Sequence, residues 1–333
     1  MKCLVFGENL SGWNTGSSFI LADVSDPAKI SVIARAKASG NCMAFLVDSG
    51  RLYCLEREFF EVFDITDIEN IRMLKRIEGY CGGYILFDKM KELLYLSNWR
   101  RGIAILDVSK RDDPIPLGSA DCDCVDLHPV GNDGPYGMSS GLCLRGNFLF
   151  GATMDYVTSR NLGALYMYDV SDPSNPKKVT KIPTPDFRAH GMDSKGNYVF
   201  AVGAHGVLSF DISIPEDPMT VGELKTGNHF LVSARLADDF LFAVGVIHSS
   251  VEHNGILDVV DISNPLHPRL IGEIVLPLSF FGDSITIDNE IAYVVCDSGV
   301  AIVDIGRPES PRLLSARNAP EGKWNSGIHI YDI

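Results

Sequence analysis

The chain has 333 residues, of which 46% are hydrophobic and 22% charged, and its formal net charge is −14. This length and balance are typical of a soluble globular protein with a substantial core. The acidic excess argues against a nucleic-acid partner and against an anionic membrane surface, because both need clustered Lys and Arg.

The N-terminal segment "MKCLVFGENLSGWNTGSS" has no apolar stretch followed by a small-residue cleavage site, so no secretory signal is predicted. The apolar runs are too short to span a bilayer, and no membrane insertion is expected. Of the eight cysteines, Cys3, Cys54, Cys143 and Cys296 fall in apolar strand patterns, where thiols behave as small hydrophobes. A cytoplasmic protein without a disulfide framework is therefore expected.

In chain order, an Asp that ends an apolar strand recurs seven times. These residues are Asp23, Asp64, Asp107, Asp169, Asp211, Asp261 and Asp304. The successive gaps are 41, 43, 62, 42, 50 and 43 residues, so a unit of about 42 residues repeats, with insertions in the third and fifth intervals. A period of this size without helical patterning indicates propeller blades.

Each unit divides into four strands. The segments "AHGMDS", "YVFAVGA", "GVLSFDIS" and "MTVGELKT" alternate apolar and polar residues with period two, and Gly, Asn or Asp marks the turns. The C-terminal "SGIHIYDI" and the N-terminal "KCLVFGE" supply strands of a closing blade, built from residues 1–27 and 305–333. We predict an all-β protein: one domain over residues 1–333, a seven-bladed β-propeller with four antiparallel strands per blade.

The segments "VAIVDI", "IAILDV" and "LDVVDI", each followed by prolines, resemble LVIVD repeats, and the blade plan resembles that of YVTN-type propellers. The resemblance covers nearly the whole chain. It implies a β-propeller of a kind often found in extracellular bacterial or archaeal proteins, and it implies no common reaction. The chain departs from that pattern because no secretion signal is visible, so export is the alternative to a cytoplasmic location.

The repeated Asp is followed two residues later by Ser or Thr in six copies, and by Gly306 in the copy at Asp304. An Asp at this spacing can accept the backbone N–H groups of the turn that leaves the strand. The prolines that follow prevent further strand pairing. Because seven copies around a ring cannot form one active site, we predict that these Asp residues are structural.

The elaborated loops fall on one face. The resemblance implies that the first strand of each unit lines the channel. The loop that leads into each first strand then lies on the same face of the ring as the hairpin between the second and third strands. We call this the top face, and the face with the Asp turns the bottom face. The top loops hold all three tryptophans, the long insertions and six of the eight histidines. Loops elaborated on one side of a rigid scaffold are where binding usually occurs.

Residues from every blade should surround the top mouth of the channel. The candidate ligand-binding residues are Asn41, Tyr80, Ser140, Phe230, Phe281, Asp283, Trp324 and Asn325, with Trp13 and Trp99 in adjoining loops. An apolar cup with a few polar groups is typical of a small-ligand site, where aromatic faces could stack on a sugar or planar ring. Arg188 and the nearby imidazoles could hold an anionic group. The alternative is that these aromatic residues only plug the channel.

A divalent metal is a further hypothesis. His190, His205, His229 and Asp283 lie on consecutive blades and could converge on zinc, manganese or iron. No local motif such as H-x-x-x-H joins any two of them, so this hypothesis depends on tertiary convergence.

The segment "ADCDCVDLHPVGND" offers Cys122, Cys124 and His128 as soft metal ligands. It lacks the usual four-ligand spacing of structural zinc sites, so a solvated acidic loop is the better interpretation.

Two functions of different classes remain open, because catalytic-triad and phosphate-loop motifs are absent. The first is a binding module that presents its top face to a protein, peptide, glycan or other small ligand. This function needs one accessible patch, formed by Trp13, Trp99, Tyr136, Tyr156 and Arg160.

The alternative is a small-molecule hydrolase, because the blade plan resembles that of seven-bladed lactonases. His190 or His229 would then be a general base near its ordinary pKa, with or without a metal, and Arg188 would stabilise developing negative charge. This function needs the imidazoles to point into one water-holding pocket. Binding is the preferred hypothesis, because fold resemblance carries little information on chemistry.

Overall fold

The structure is a computed structural model that describes residues 1–10, 17–56, 58–98, 102–122, 138–153, 164–184, 187–248, 253–279, 284–296, 298–319 and 323–332. Only the backbone is described at residues 9–10, 138–140, 153, 248, 253, 279 and 323–326. Every regular element within these ranges is a β-strand. The described residues contain no helix that is long and apolar enough to cross a membrane.

The strands are named here in chain order. The first fourteen are β1 Lys2–Leu10, β2 Ser18–Asp23, β3 Ser31–Lys37, β4 Cys42–Asp48, β5 Arg51–Glu56, β6 Phe59–Asp64, β7 Arg72–Glu78, β8 Ile85–Asp88, β9 Leu93–Asn98, β10 Gly102–Asp107, β11 Ile115–Ala120, β12 Met138–Arg145, β13 Phe148–Thr153 and β14 Ala164–Asp169. The others are β15 Lys177–Pro183, β16 Ala189–Lys195, β17 Tyr198–Gly203, β18 Gly206–Asp211, β19 Met219–Lys225, β20 His229–Ala237, β21 Phe240–His248, β22 His253–Asp261, β23 Arg269–Ser279, β24 Ser284–Asp288, β25 Ile291–Cys296, β26 Gly299–Asp304, β27 Arg312–Asn318 and β28 Lys323–Asp332.

These strands form seven antiparallel sheets of four strands, which are the blades. Blades one to six are β4–β7, β8–β11, β12–β15, β16–β19, β20–β23 and β24–β27, and blade seven is β28 with β1–β3. The first strands of neighbouring blades contact one another around a central channel. The predicted all-β, seven-bladed propeller with four strands per blade is confirmed.

Burial of each strand follows its place in the blade. The third strand of blade two, β10, is buried over its first five residues, whereas the residues of the outermost strand β11 are exposed or half-buried. Third strands are covered by a neighbouring blade on each side, so they read as continuous apolar runs such as "GIAIL". The core accordingly consists of seven clusters, one between each pair of neighbouring blades.

The ring closes between the two ends of the described chain. Strand β1 pairs with β28 from Lys2 opposite Asp332 to Leu10 opposite Lys323. The predicted limits of this blade, 27 and 305, need correction, because β3 belongs to it and β27 belongs to blade six. The reason is that the strand after each Asp turn pairs with the strand before the turn and so completes the same blade.

The repeated Asp residues have the structural role that the sequence predicts, because each accepts a hydrogen bond from the turn that follows it. In all seven copies Oδ1 accepts the backbone N–H of the residue two positions later, at 2.7–3.1 Å. A register shift between the third and fourth strands also ends at the residue just before each Asp. The bulge and the Asp turn together direct the chain out of the sheet.

The prolines after these turns join neighbouring blades. The Oγ of Ser315 in blade six donates to the carbonyl of Pro27 in blade seven at 2.8 Å. In blade five, a Cβ on Gly272 would collide with the carbonyl oxygen of Pro308 in blade six. The repeat motif therefore fixes how one blade packs on the next, on the bottom face.

Candidate functional site

Two of the predicted mouth residues are held by the scaffold. Asn41, directly before β4, is buried, and its Oδ1 accepts a hydrogen bond from the Oγ of Ser17 at 2.9 Å. Tyr80 is half-buried and packs on the core between blades one and two. Both side chains therefore contribute to packing near the top of the channel.

His190 lies on β16, the channel strand of blade four, and is 5% exposed. Its ring meets Phe230 edge to face, with the centroids 4.8 Å apart. Burial, together with the charge of Arg188, lowers the pKa of His190 to about 3. The expectation of a pKa near the ordinary value is thus corrected for His190, because burial disfavours the charged imidazole.

Arg188, the predicted anion ligand, is exposed and has φ 48°. This left-handed conformation is uncommon outside glycine, and such strain often accompanies functional positions. Its neighbour Phe187 is buried in the core between blades three and four. The strained backbone of Arg188 therefore directly follows a residue, Phe187, whose side chain is fixed in the core.

His229 begins β20, and its Nδ1 lies 2.9 Å from Oδ2 of Asp258 on β22. Asp258 is completely buried, and its Oδ1 makes no hydrogen bond within the described residues. The hydrogen bond to Asp258 raises the pKa of His229, while burial raises the pKa of Asp258. The carboxyl group orients the imidazole, which can accept or release a proton through Nε2.

Several predicted residues cannot be placed. Phe281, Asp283, Trp13, Trp99, Tyr136, Tyr156, Arg160, Cys124 and His128 lie outside the described residues. For Ser140 on β12, and for Trp324 and Asn325 on β28, only the backbone is described. Cys122 is buried at the end of the described part of its loop.

Two groups of side chains in the described part of the chain have ligand atoms close enough to hold a metal ion. One is His229, Asp258 and Glu273, and the other is Cys42, Cys54 and Glu56, with ligand atoms within 4.8 Å of one another in each group. Of the four predicted ligands, His229 belongs to the first group. His190 and His205 belong to neither, and His205 is an exposed residue of a top hairpin.

A pocket of about 510 Å³ opens where the channel meets the bottom face. It is lined by the channel strands of blades two to five and by two of their hairpins, through Tyr84, Leu86, Phe87, Asp88, Lys89, Met90, Leu142, Cys143, Leu144, Gly146, Asp193, Ser194 and Arg235. This volume lies within the range of small-ligand pockets, and the walls combine apolar and charged side chains.

Arg235 on β20 supplies positive charge to this pocket. Its guanidinium lies 5.0 Å from the ring centroid of Tyr84, and Nη1 donates to the carbonyl of Ala234 at 2.8 Å. No carboxylate forms an ion pair with it among the described residues. Across the channel, burial and the charge of Arg235 lower the pKa of His329 to about 4.

Asp193, the pocket acid on the strand next to Arg235, is bonded to the backbone. Oδ2 of Asp193 accepts the N–H of Leu236 at 2.9 Å, and Oδ1 accepts the N–H of Ser194 at 2.8 Å. These bonds hold Asp193 against the strand next to Arg235 and leave the guanidinium available. The pocket thus places Arg235, which has no ion pair among the described residues, beside the fixed carboxylate of Asp193 and the ring of Tyr84.

Sequence reasoning missed this pocket because it concentrated on long top loops. A usable signal is nevertheless present: Arg235 interrupts the apolar pattern of "HFLVSARLA", a channel strand, where a charged side chain must face the channel. Glu56, at the end of "RLYCLE", is a similar interruption in a buried strand.

Comparisons with known proteins agree with the fold. The LVIVD repeat family model matches residues 251–275 and 282–318. No curated protein matches the sequence. A protein from Lactobacillus plantarum is similar in structure over 100% of both chains, with a TM-score of 0.70 and 16% identity.

Two further solved structures are similar at 12% identity. A hypothetical selenium-binding protein from Sulfolobus tokodaii has a TM-score of 0.66, with 98% of this chain and 93% of that chain covered. Apo AztD from Citrobacter koseri has a TM-score of 0.57, with 96% and 82% covered. At such identities the likeness concerns the fold alone, which suits both a binding module and a lactonase-like enzyme. The repeated Asp turns and the seven closed blades show that the chain is a seven-bladed β-propeller, and residues 251–275 and 282–318 of it match the LVIVD repeat.

Proposed function

We propose that this propeller is a binding protein that takes a small anionic ligand with a flat apolar part into the bottom opening of its channel. The observation that carries the proposal is Arg235, a cation without an acidic partner among the described residues, in a pocket of about 510 Å³. An arginine in such a site can hold a carboxylate, sulfonate or phosphate through two parallel hydrogen bonds.

The walls of the pocket favour a ligand with an apolar ring. Leu86 and Leu144 offer aliphatic surface, and Tyr84 lies under the guanidinium. Met90, at the tip of the hairpin between β8 and β9, is 93% exposed at the rim. A flexible thioether at a rim can adapt to an apolar group.

The first test uses 8-anilinonaphthalene-1-sulfonate, a fluorescent anion with fused aromatic rings. We expect one saturable site in the wild type, competed by benzoate. Arg235→Gln should weaken binding by about 10–100-fold, because a charge-assisted hydrogen bond contributes about 1.5–3 kcal/mol. Arg188→Gln, which removes a cation from the top mouth, should leave the affinity unchanged.

Either of two results would overturn the proposal. One is dye binding that Arg235→Gln does not change. The other is binding lost in Arg188→Gln, which would place the ligand at the top mouth. Matched melting temperatures of the two variants would confirm that each is folded.

The pair of His229 and Asp258 supports hydrolysis as a second candidate function. A buried carboxyl that accepts from Nδ1 would fix the tautomer in which Nε2 is a general base. A panel of lactones and esters should then be hydrolysed by the wild type. Activity should fall by at least about 100-fold in His229→Gln. Full activity in that variant, or none in the wild type, would exclude His229 as the base.

A further inference from the structure

The face of blade one that packs on blade seven carries three side chains with ligand chemistry. Cys42 on β4 lies directly opposite Glu56 on β5, and Cys54 precedes Glu56 by two residues on the same strand. Side chains two apart on a strand, and side chains directly opposite across a pair, share a face of the sheet. The two thiols and the carboxyl therefore converge, with ligand atoms within 4.8 Å of one another.

We propose that Cys42, Cys54 and Glu56 form a binding site for a thiolate-seeking divalent cation of the zinc class. All three residues are 0% exposed. The site lies under the loop that leads into β4, at the joint between blades seven and one. It is separate from the pocket around Arg235 and does not depend on the function proposed for that pocket.

Glu56 gives the second, independent reason. Neither of its carboxyl oxygens makes a hydrogen bond of normal geometry within the described residues, although the residue is completely buried. A buried carboxyl without partners is costly, and buried charges are normally paired or bound to a metal.

The carboxyl of Glu61 has hydrogen-bond donors in the loop and a cation nearby. It accepts the N–H of Ser39 at 3.2 Å and the Ser39 hydroxyl, and it lies 3.9 Å from the guanidinium of Arg76. It therefore fixes the loop over the site, next to the carboxyl of Glu56. A Cβ on the next loop residue, Gly40, would come within 2.8 Å of Oε2 of Glu56, so glycine lets the loop approach the carboxyl.

The donor set selects the kind of ion. Two thiolates exclude magnesium and calcium, which bind oxygen ligands, whereas zinc takes sulfur and carboxylate together. Three protein ligands leave one position of a tetrahedral ion for water or a small ligand. An alternative account is that Glu56 stays protonated and donates to Glu61, with no metal bound.

Cobalt(II), a spectroscopic substitute for zinc, tests the proposal on the full chain under reducing conditions. We expect a thiolate-to-cobalt charge-transfer absorption that saturates at one equivalent and is displaced by zinc. Cys54→Ala should abolish this absorption. Cys296→Ala removes a buried thiol of blade six and should keep it.

Glu56→Gln keeps the shape of the side chain and so separates ligation from folding. We expect this variant to bind cobalt more weakly by more than about tenfold, because a lost ligand costs at least as much as a lost outer-shell partner. The proposal is overturned if the wild type shows no charge-transfer absorption, if the absorption persists in Cys54→Ala, or if folded Glu56→Gln binds like the wild type. The last result would support the protonated pair of Glu56 and Glu61.

Discussion

Nδ1 of His229 lies 2.9 Å from Oδ2 of Asp258, a carboxyl that is completely buried on a different strand of the same blade. The contact stabilises the protonated form of the imidazole, raises the pKa of His229 and orients its ring. Because His190 is driven the other way by burial, the two histidines predicted as alternatives for one role have opposite properties.

Asp258→Asn should lower the pKa of His229. The charge that stabilises the imidazolium is lost, while the burial that opposes it remains. The shift is measurable by NMR titration of the imidazole in the presence of a chelator. Asp217→Asn, at an exposed acid of blade four, is the control. An unchanged His229 titration in Asp258→Asn would show that the pair does not form in solution.

His190 should make the protein less stable in mild acid. Its pKa is about 3 in the folded state, below the ordinary value of 6.5, so only the unfolded chain gains a proton at intermediate pH. The stability is complete above about pH 6.5, and about 1.4 kcal/mol is lost per pH unit as the pH falls from there towards 3. Urea unfolding at pH 7 and pH 4.5 should show a smaller loss for His190→Gln than for the wild type. His267→Gln, in an exposed loop, should lose as much free energy of unfolding between pH 7 and pH 4.5 as the wild type. An equal loss in all three proteins would contradict the role assigned to His190.

Asp64 should matter more than the other turn residues. Besides its hydrogen bonds from Thr66, it forms ion pairs with Arg51 at 3.0 Å and with Arg72 at 2.9 Å, and its pKa is lowered to about 2. The hydrogen bonds from Thr66 are the largest cause of this lowering, and the two arginines add to it. Of the two ion pairs, the one with Arg51 is less exposed and so less screened by solvent than the one with Arg72. Asp64→Asn keeps an acceptor for the turn and should cost about 1–2 kcal/mol at pH 7.

The matched control is Asp107→Asn, whose carboxylate accepts from Ser109 and has no ion pair within the described residues. Its cost should stay within about 0.5 kcal/mol. The advantage of wild-type Asp64 is present above about pH 4 and should disappear as the pH falls through about 2, because the folded-state pKa is depressed. Equal effects of the two variants on urea unfolding would show that the arginines do not contribute.

Gly327 should be essential to ring closure. It has φ 54°, lies at the register shift between β1 and β28, and its missing Cβ would be 2.7 Å from the carbonyl oxygen of Met43. Gly146 has φ 59° with open space around it, so Gly146→Ala measures the backbone cost alone, about 1 kcal/mol. Gly327→Ala should cost about 1–3 kcal/mol more through overpacking. Equal urea midpoints for Gly327→Ala and Gly146→Ala would mean that the pairing of β1 with β28 accommodates the added methyl group without strain.

The fold could be predicted because its signal is local and repeated. Each Asp turn depends on residues two positions apart, and each strand on alternation within six or seven residues, so seven copies reinforce one another. The pairing of β1 with β28 could be predicted because the strands at the two ends of the sequence did not fill a complete blade on their own. The blade limits were wrong because the sequence does not show which neighbour an outer strand pairs with.

The candidate sites could not be predicted in this way. Arg235 and Tyr84 come from blades five and two, and they meet only because the ring brings both strands to one channel. Cys54 and Cys296 both lie in buried apolar strands, and it is the pairing of Cys42 opposite Glu56 that brings a second thiol and a carboxyl close to Cys54.

The sequence by itself determined the strand content, the seven blades, the role of the repeated Asp and the way the ring closes, because these follow from short-range hydrogen bonding and hydrophobic periodicity. The tertiary structure alone decided which polar side chains lose their contact with water and which of them meet. Burial lowered the pKa of His190, whereas the hydrogen bond to Asp258 raised the pKa of His229. Within the described residues, tertiary packing left Arg235 without an ion pair and buried the carboxyl of Glu56 beside two thiols. Both effects depend on distances between residues far apart in the chain, and periodicity carries no information about such distances.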